Sequence, residues 1–404
     1  MPILNRKRRR KVKESSVRDG ARLTRVRQGD KKEKASSGPN EAAAGNQSVH
    51  MVVEHGVDKP THSVLELAVG AVPRTLLFGK RGMSFAAVGT RYGPRIVGLG
   101  QQRTTIYDPK TSMEVWGPCL VDPKLHPILI PHGSNLYALS SSPSVVKGMD
   151  FLPWFVVLNL NVGYIVGGAT MGTEWRDLPP PPIFPCRLNP LEYRNPPKVR
   201  VASYALVGSH IVLSVQQDKG TCTCAGSETL SCSFHQQDKG TCAFNVDTKE
   251  WEMVDDKSLP FTGKAVPLGD HLFIACSKAR AGVAAVYYMD VLPPTISGTG
   301  KTQLSIHELP VSSKGIVPGQ LLCAMGKGSF SSFDIRSVDP GLEAKLEKAR
   351  IVHRTYSQSH GGDNSVVMVK QQRQIFKLRV PSHHLAHPLP VVAALTMTKN
   401  DVIF

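Results

Sequence analysis

The 404-residue chain contains no apolar run approaching the 18 residues that a membrane-spanning helix needs, which excludes a helical membrane protein. Its 8 cysteines are too sparse for the disulfide scaffold of a small secreted domain, and the N-terminus lacks the apolar stretch of a secretory signal. Extended helical patterns are also missing, apart from a short segment at 341–350. The composition therefore indicates a folded, loop-rich protein, and we expect it to be nuclear or cytoplasmic.

Acidic residues are scarce at the N-terminus, where the first 34 positions hold 14 Lys and Arg but only 4 Asp and Glu. Residues 1–60 are polar and poor in aromatics, so they cannot bury enough apolar surface to fold, and we predict a disordered basic tail. Seven basic side chains within it predict a nuclear-import signal; a weak nucleic-acid contact and a solvated arm with neither role are the alternatives. They are Arg6, Lys7, Arg8, Arg9, Arg10, Lys11 and Lys13.

From about residue 62, short runs rich in Val, Ile, Leu, Tyr and Phe recur in pairs around turns that mostly contain glycine. Such pairs are typical of β-hairpins, because glycine adopts the backbone angles that tight turns require. The predicted hairpins are 86–100, 126–141, 202–215, 263–277, 320–335 and 366–380, the last turning at 370–373 without glycine.

A second unit follows the hairpins, in which a strand ends in an Asp-containing turn and a Trp lies in or beside the next strand. The aromatic side chains predicted to pack inside these sheets are Tyr107, Trp116, Trp175, Phe244 and Trp251. Trp116 and Trp175 are 59 residues apart, and Trp175 and Trp251 are 76 apart. A tandem duplication of QQDKGTC, at 216–222 and 236–242, adds 20 residues to the longer interval and reduces it to 56 when removed.

Four strands in a period of roughly 55–59 residues are the signature of propeller blades, and a β-sandwich with similar hairpins is the alternative. We therefore predict an all-β, kelch-like β-propeller of five or six four-stranded blades over residues 61–380, with an insert near 216–242. Residues 381–404 are expected to form an irregular tail. Ring closure is expected between 63–69 and 375–380, because pairing the two ends removes exposed sheet edges.

The motifs Tyr-Asp-Pro-x-Thr…Trp at 107–116 and Asp-Thr-x-x-Trp at 247–251 resemble the outer strands of kelch-type blades. The body as a whole resembles an uncharacterised group of grass proteins related to plant kelch and F-box-associated propellers. The segments that support this resemblance are GPRIVGLG (93–100), IYDPKT (106–111), SVQQDKGTC (214–222) and FNVDTKEWEM (244–253). The resemblance implies a propeller used for binding and supplies no catalytic residue.

Motifs for chemistry are weak. Residues 295–302 end like a phosphate-binding loop but lack its first glycine. Cysteines at 222, 224, 232 and 242 with His235 lack the paired spacing of a zinc site, and the duplication explains two of them. Three histidines at 383, 384 and 387 fall in the predicted C-terminal tail. We accordingly predict no catalytic residue, no metal and no cofactor.

The predicted function is that of a non-catalytic interaction scaffold. It would act as a monomer, without membrane contact, and bind an unidentified partner protein through propeller loops, chiefly 216–242 and 179–198. One alternative is an enzyme with a metal site in the propeller channel. The other is nucleic-acid binding through the basic tail.

Overall fold

A computed structural model describes residues 22–25, 48–55, 61–67, 74–78, 83–124, 126–142, 151, 153–185, 187–190, 192–193, 196–222, 232–294, 301–310, 321–337, 348–360, 366–379 and 391–397. Within these ranges the chain forms strands, turns and bends, and none of it is helical. No helix that could cross a membrane is therefore found in the described ranges. The prediction of an all-β, propeller-like fold is confirmed for this part of the chain.

The strands are β1 (Arg22–Arg25), β2 (Ser48–His55), β3 (Thr61–Glu66), β4 (Arg74–Phe78), β5 (Ser84–Val88), β6 (Arg95–Gly100), β7 (Arg103–Asp108), β8 (Met113–Trp116), β9 (Ile128–His132), β10 (Asn135–Leu139), β11 (Phe155–Asn159), β12 (Tyr164–Val166), β13 (Ala169–Met171), β14 (Arg176–Leu178), β15 (Lys198–Val207), β16 (His210–Cys222), β17 (Cys232–Asn245), β18 (Glu250–Asp255), β19 (Phe261–Gly269), β20 (Leu272–Ser277), β21 (Ala284–Leu292), β22 (Gln303–Leu309), β23 (Leu321–Gly326), β24 (Ser329–Ser337), β25 (Lys348–His360), β26 (Val366–Arg379) and β27 (Val391–Met397).

Most strands of the described chain belong to six antiparallel units of four strands each. Unit 1 has the order β27-β2-β3-β4, unit 2 is β5 to β8, and unit 3 has the order β9-β10-β11-β14. Units 4, 5 and 6 are β15 to β18, β19 to β22 and β23 to β26. Additional pairing comes from the hairpin β12–β13 beside β8, from a short parallel ladder between β15 and β19, and from β1 beside β26.

Five of the predicted hairpins are present, as β5–β6, β9–β10, β15–β16, β19–β20 and β23–β24. In β15–β16, Val207 pairs with His210, which leaves Gly208 and Ser209 as the turn, and Gly208 has a φ of +55°. A positive φ strains residues that carry a Cβ atom, so the glycine favours this turn and the register that follows from it.

The sixth predicted hairpin is wrong. Val366–Arg379 is one continuous strand that pairs with β25, and the segment predicted to turn instead contains a register shift opposite Thr355 and Tyr356. The polar side chains at 372 and 373 are exposed, and backbone pairing does not depend on them. The predicted helical segment 341–350 is also wrong where it is described, because Lys348–Arg350 belong to β25; residues 341–347 lie outside the described residues.

Hydrophobic clusters connect each unit to the next. Val97 of unit 2 shares a cluster with Leu136 of unit 3, and Ile130 of unit 3 shares another with Ile211 of unit 4. Further clusters join units 4 and 5, 5 and 6, and 1 and 2. One more joins unit 6 back to unit 1, where Phe333 and Phe376 pack with Met51. Strands such as β10 and β11 are largely buried for this reason, because neighbouring units cover both faces of their sheet.

The two ends of the folded chain meet in unit 1, and the predicted seam is wrong. β27 pairs with β2 from Ser48↔Met397 to Val53↔Val391, whereas β3 pairs with β2 and β4, and β26 pairs with β25 and β1. The C-terminal strand thus covers the edge that β2 would otherwise expose, and an exposed edge invites aggregation.

Two predicted domain boundaries change accordingly. β2 lies inside the predicted tail 1–60, yet its Met51, Val52 and Val53 are fully buried. β27 lies inside the predicted irregular tail 381–404, where Val391 and Met397 are buried. β2 and β27 are short and isolated in the sequence. They are stabilised by burial between neighbouring units, and local strand propensity contributes less. The basic residues 6–13 lie outside the described residues.

Candidate functional site

The aromatic residues singled out from the sequence lie at contacts between units. Phe244 is fully buried, with its ring 4.9 Å from that of Phe155 and 5.1 Å from that of Trp251. The Trp251 indole N–H donates to the carbonyl of Pro179 at 2.8 Å, so a unit 4 side chain binds the connection that leaves unit 3. This arrangement is packing between sheets.

Trp175 makes the corresponding contact between units 3 and 2. Its indole N–H lies 3.0 Å from Thr104 Oγ1 and 3.2 Å from the Pro118 carbonyl. Tyr107 is buried in the cluster between units 1 and 2. Trp116 is half-buried, with the Arg103 guanidinium 5.4 Å from its ring centroid.

The residues considered for metal chemistry are not assembled into a site where they can be described. Cys242 is buried in the core of unit 4, and its apolar surroundings raise the pKa of its thiol well above the ordinary value. Cys222 and Cys232 are opposite each other in the β16–β17 register; Cys224 and the histidines at 383, 384 and 387 lie outside the described residues. Among the described residues, no group of three or more His, Cys, Asp or Glu could hold a metal ion.

A groove beside the hairpin β12–β13 is the most distinctive surface feature. The hairpin interrupts unit 3 between β11 and β14, and Val166 pairs with Ala169 around the turn Gly167-Gly168. Both glycines have positive φ, +58° and +80°, which explains why this turn uses two of them. This two-glycine turn belongs to the hairpin inserted between β11 and β14.

The hairpin is attached to the outer edge of unit 2. The backbone N–H of Trp116 donates to the Gly168 carbonyl at 2.9 Å, and the Thr170 hydroxyl donates to the Trp116 carbonyl at 3.2 Å. At the other end, the backbone N–H of Arg91 donates to Asn161 Oδ1 at 2.8 Å. Residues of unit 3 are thus held against β8 and against the β5–β6 turn, and a cavity of about 400 Å³ lies between them.

The groove is apolar and open. Its floor includes the buried Ile106 and Val115, and its rim includes Tyr92, Met113 and Tyr164, which are 60%, 60% and 63% exposed. Exposed apolar side chains scattered singly are normal, whereas these form a contiguous set around a cavity. The neighbouring Ile165, Val166 and Met171 are also at least half exposed and extend this surface along the hairpin.

One end of the groove is polar. Arg95 Nη2 lies 3.3 Å from Asp108 Oδ2, and it also donates to the Tyr92 carbonyl at 3.2 Å. Asp108 Oδ1 accepts the backbone N–H of Lys110 at 2.9 Å, which closes the β7–β8 turn. The charges of this pair offset each other, so the groove presents a mainly apolar surface with one polar wall.

Comparison with known proteins places the chain in a family. A family model described as "Protein of unknown function (DUF1668)" matches residues 17–376. The chain belongs to the DUF1668 family. No curated protein matches this chain. A solved structure of a luciferin-regenerating enzyme is similar, with a TM-score of 0.33 and 11% sequence identity, covering 76% of this chain and 94% of that one.

The two loops that the sequence singled out for partner binding are neighbours in this DUF1668 chain. β16 and β17 continue to pair through the duplicated segments as far as Cys222↔Cys232, so the duplication lengthens one hairpin. The loop 179–198 leads into β15, where Arg200 donates to Gln216 Oε1 at 3.0 Å, and Gln216 donates to Asp238 Oδ1 at 3.0 Å. The end of unit 4 opposite Gly208 therefore presents both segments together.

No sequence pattern predicted the groove of this DUF1668 chain. Its signal is the run Tyr164–Val166, three residues of high strand propensity followed by Gly-Gly. The pattern indicates a hairpin, but it does not show that the hairpin leaves unit 3 and pairs with unit 2.

Proposed function

We propose that this chain is a six-bladed, kelch-like propeller that acts as a non-catalytic scaffold and binds an extended apolar segment of a partner protein. The six antiparallel units, each sharing a hydrophobic cluster with the next and the last with the first, support the blade number. The Asp-containing turns after β7 and β17 support the kelch-like assignment.

The observation that carries the binding proposal is the groove beside β12–β13. β12 is the outermost strand of its sheet, so one of its backbone edges has no neighbouring strand among the described residues. The pair that flanks a two-residue hairpin turn is hydrogen-bonded, so the N–H and C=O of the next residue, Ile165, point away from β13. Such an edge is a template for another strand.

The proposed occupant pairs with this edge and inserts apolar side chains into the cavity. Addition of a strand provides main-chain hydrogen bonds, and a pocket beside the strand provides selectivity for side chains. The cavity volume of about 400 Å³ lies in the range of about 300–1,000 Å³ that is usual for ligand pockets. Tyr92 and Tyr164 at the rim offer large aromatic surfaces, which are enriched at interfaces.

The test is a selection of displayed random peptides on the full chain, followed by affinity measurements on the recovered peptides by fluorescence anisotropy. We expect apolar residues at alternate positions, and at least about a tenfold loss of affinity in Ile165→Asp, which removes apolar surface, and in Ile165→Pro, which removes the outward N–H. Val121→Asp is the matched control, because Val121 is 88% exposed and outside the groove lining.

Two results would contradict the proposal. One is a selection without an apolar consensus; the other is recovered peptides that bind both Ile165 variants as tightly as the wild type. Loss of binding in Val121→Asp as well would assign the interaction to a different surface.

Nuclear import through residues 6–13 is proposed from the sequence alone. A fluorescent fusion of the full chain in which Arg8, Arg9 and Arg10 are replaced by Ala should shift from the nucleus to the cytoplasm. An unchanged distribution would contradict this role.

A further inference from the structure

The strands of unit 6 and the adjoining β1 carry more positive charge than any other unit of the described chain. They hold ten Lys and Arg and one acidic residue, Asp334. The strands of the other five units together hold nine Lys and Arg and twelve Asp and Glu. The ten basic residues are Arg22, Arg25, Arg336, Lys348, Arg350, Arg354, Lys370, Arg373, Lys377 and Arg379.

The alternation of side chains along β25 and β26 determines which face of the sheet carries this charge. Ile351 and Phe376 pair in register, and both belong to the cluster between units 6 and 1. Successive residues of a strand point to opposite faces. Arg350 and Lys377, which are the sequence neighbours of that pair, therefore lie on the face turned away from unit 1.

Like charges are directly opposed at several register positions. The opposed pairs are Arg350↔Lys377, Arg354↔Arg373, Lys348↔Arg379 and Arg22↔Arg379. Directly opposed residues have Cβ atoms about 4.5–5.5 Å apart, and like charges at that separation destabilise a sheet. Asp334 of β24, which pairs with Val352 between the first two of these pairs, offsets only part of the charge. A bound anion would remove the repulsion that remains.

Two guanidinium groups of this set have unsatisfied donors. Arg354 is 8% exposed, and its Nη1 has no hydrogen-bond partner in the part of the chain that the structure describes. The same is true of the buried Nε of Arg350. A buried donor on a charged group costs free energy when it is left without a partner. Arg373 and Lys377, opposite these two residues, are exposed, so an anion in solution has access to them.

The character of this surface favours a polyanion over a protein partner. Protein interfaces have an apolar core, whereas none of the large apolar side chains that are exposed in the described chain belongs to unit 6. Alternate residues of a strand repeat about every 7 Å, and neighbouring strands lie about 4.8 Å apart, so the cations extend over an area rather than surround one pocket. β1 pairs with β26, so the basic segment 6–13 is attached beside the same surface.

We propose that the basic face of unit 6, formed by Arg350, Arg354, Arg373 and Lys377, binds duplex nucleic acid through its phosphates. The planar guanidinium group matches the geometry of a phosphate. The aromatic rings of the described unit 6 strands are buried, so they provide no platform on which the bases of a single strand could stack. This surface is separate from the groove beside β12–β13, and neither proposal depends on the other.

The test is fluorescence anisotropy of a labelled DNA duplex titrated with the full chain at salt concentrations between about 50 and 200 mM. Each phosphate contact adds about 0.9 to the slope of log affinity against log salt. We expect the double variant Arg373→Gln/Lys377→Gln to lose at least about tenfold in affinity at low salt and about 2 in this slope. The matched control Lys110→Gln/Lys257→Gln removes two exposed lysines outside unit 6 and should bind as the wild type does.

Urea unfolding separates a loss of binding from a loss of folding. Arg373 and Lys377 are exposed and each is opposite another cation, so the double variant should be at least as stable as the wild type. A clearly lower stability would contradict the repulsion on which the proposal depends.

Three binding results would overturn the proposal. The first is equal affinity and equal salt slope in the double variant and the control, which would assign binding to the N-terminal basic residues that every variant retains. The second is the absence of salt-dependent binding of the duplex by the wild type. The third is binding of phosphatidylserine vesicles without binding of the duplex, which would assign the basic face of unit 6 to a membrane surface.

Discussion

His353 should make the protein lose stability in mild acid. Its imidazole is 8% exposed, lies flat on the ring of Phe333 with centroids 4.7 Å apart, and has Nε2 2.9 Å from Ser331 Oγ. Burial among these groups disfavours the charged form and lowers the pKa of His353 from 6.5 to about 4.

The sign and size of the effect follow from linkage. As pH falls below the unfolded-state pKa of 6.5, the unfolded chain binds a proton at His353 while the folded chain does not, until pH approaches the folded pKa of about 4. Full stability is therefore present above pH 6.5. Each pH unit below it costs about 1.4 kcal/mol, which gives about 2 kcal/mol at pH 5 and about 3 kcal/mol below pH 4.

The assay is urea unfolding at pH 7.5 and pH 5.0 for the wild type and His353→Phe. The variant leaves Ser331 without its partner, which costs about 1–3 kcal/mol at both pH values, but it removes the titration. The wild type should lose about 2 kcal/mol more than the variant between the two pH values. His307→Phe, which removes an exposed imidazole, should keep the His353 contribution. Equal pH dependence in the wild type and His353→Phe would refute the reasoning.

Three further predictions concern stability. Phe244→Ala should cost about 3–5 kcal/mol in urea unfolding, because it opens a cavity beside Phe155 and Trp251; a loss below about 1 kcal/mol would contradict this packing. Removal of residues 391–404 should abolish a monomeric peak in size-exclusion chromatography by exposing the β2 edge, whereas removal of 398–404 should preserve it. Lys124→Met should cost about 1–3 kcal/mol, because the buried ammonium donates to the Pro153 carbonyl at 2.6 Å; Lys257→Met should cost nothing measurable in the same assay.

Local sequence signals predicted the repeated part of the fold. Gly208 and Gly269 mark two-residue or similarly tight turns, and the runs on either side are rich in residues that favour strands. The spacing of Trp116, Trp175 and Trp251 reflects successive sheets of equal size. The turns and strands depend mainly on interactions within one hairpin, so they can be predicted from the sequence.

Long-range pairing was harder to predict. β27 is a seven-residue apolar segment that forms a strand because β2, some 340 positions earlier, provides a free edge. β26 passes through a polar segment without turning because β25 continues beside it. No local pattern encodes a partner that is distant in the chain.

The candidate site shows the same difference between local features, which a sequence predicts, and long-range contacts, which it does not. From the sequence alone came the all-β class, the repeated hairpins and the aromatic residues between sheets, because strand propensity and turn chemistry act over a few residues. Only the tertiary structure placed Tyr164 and Ile165 in one groove with Met113 and Val115 of β8. A groove is made by surfaces from different sheets, and its position is fixed when the sheets pack.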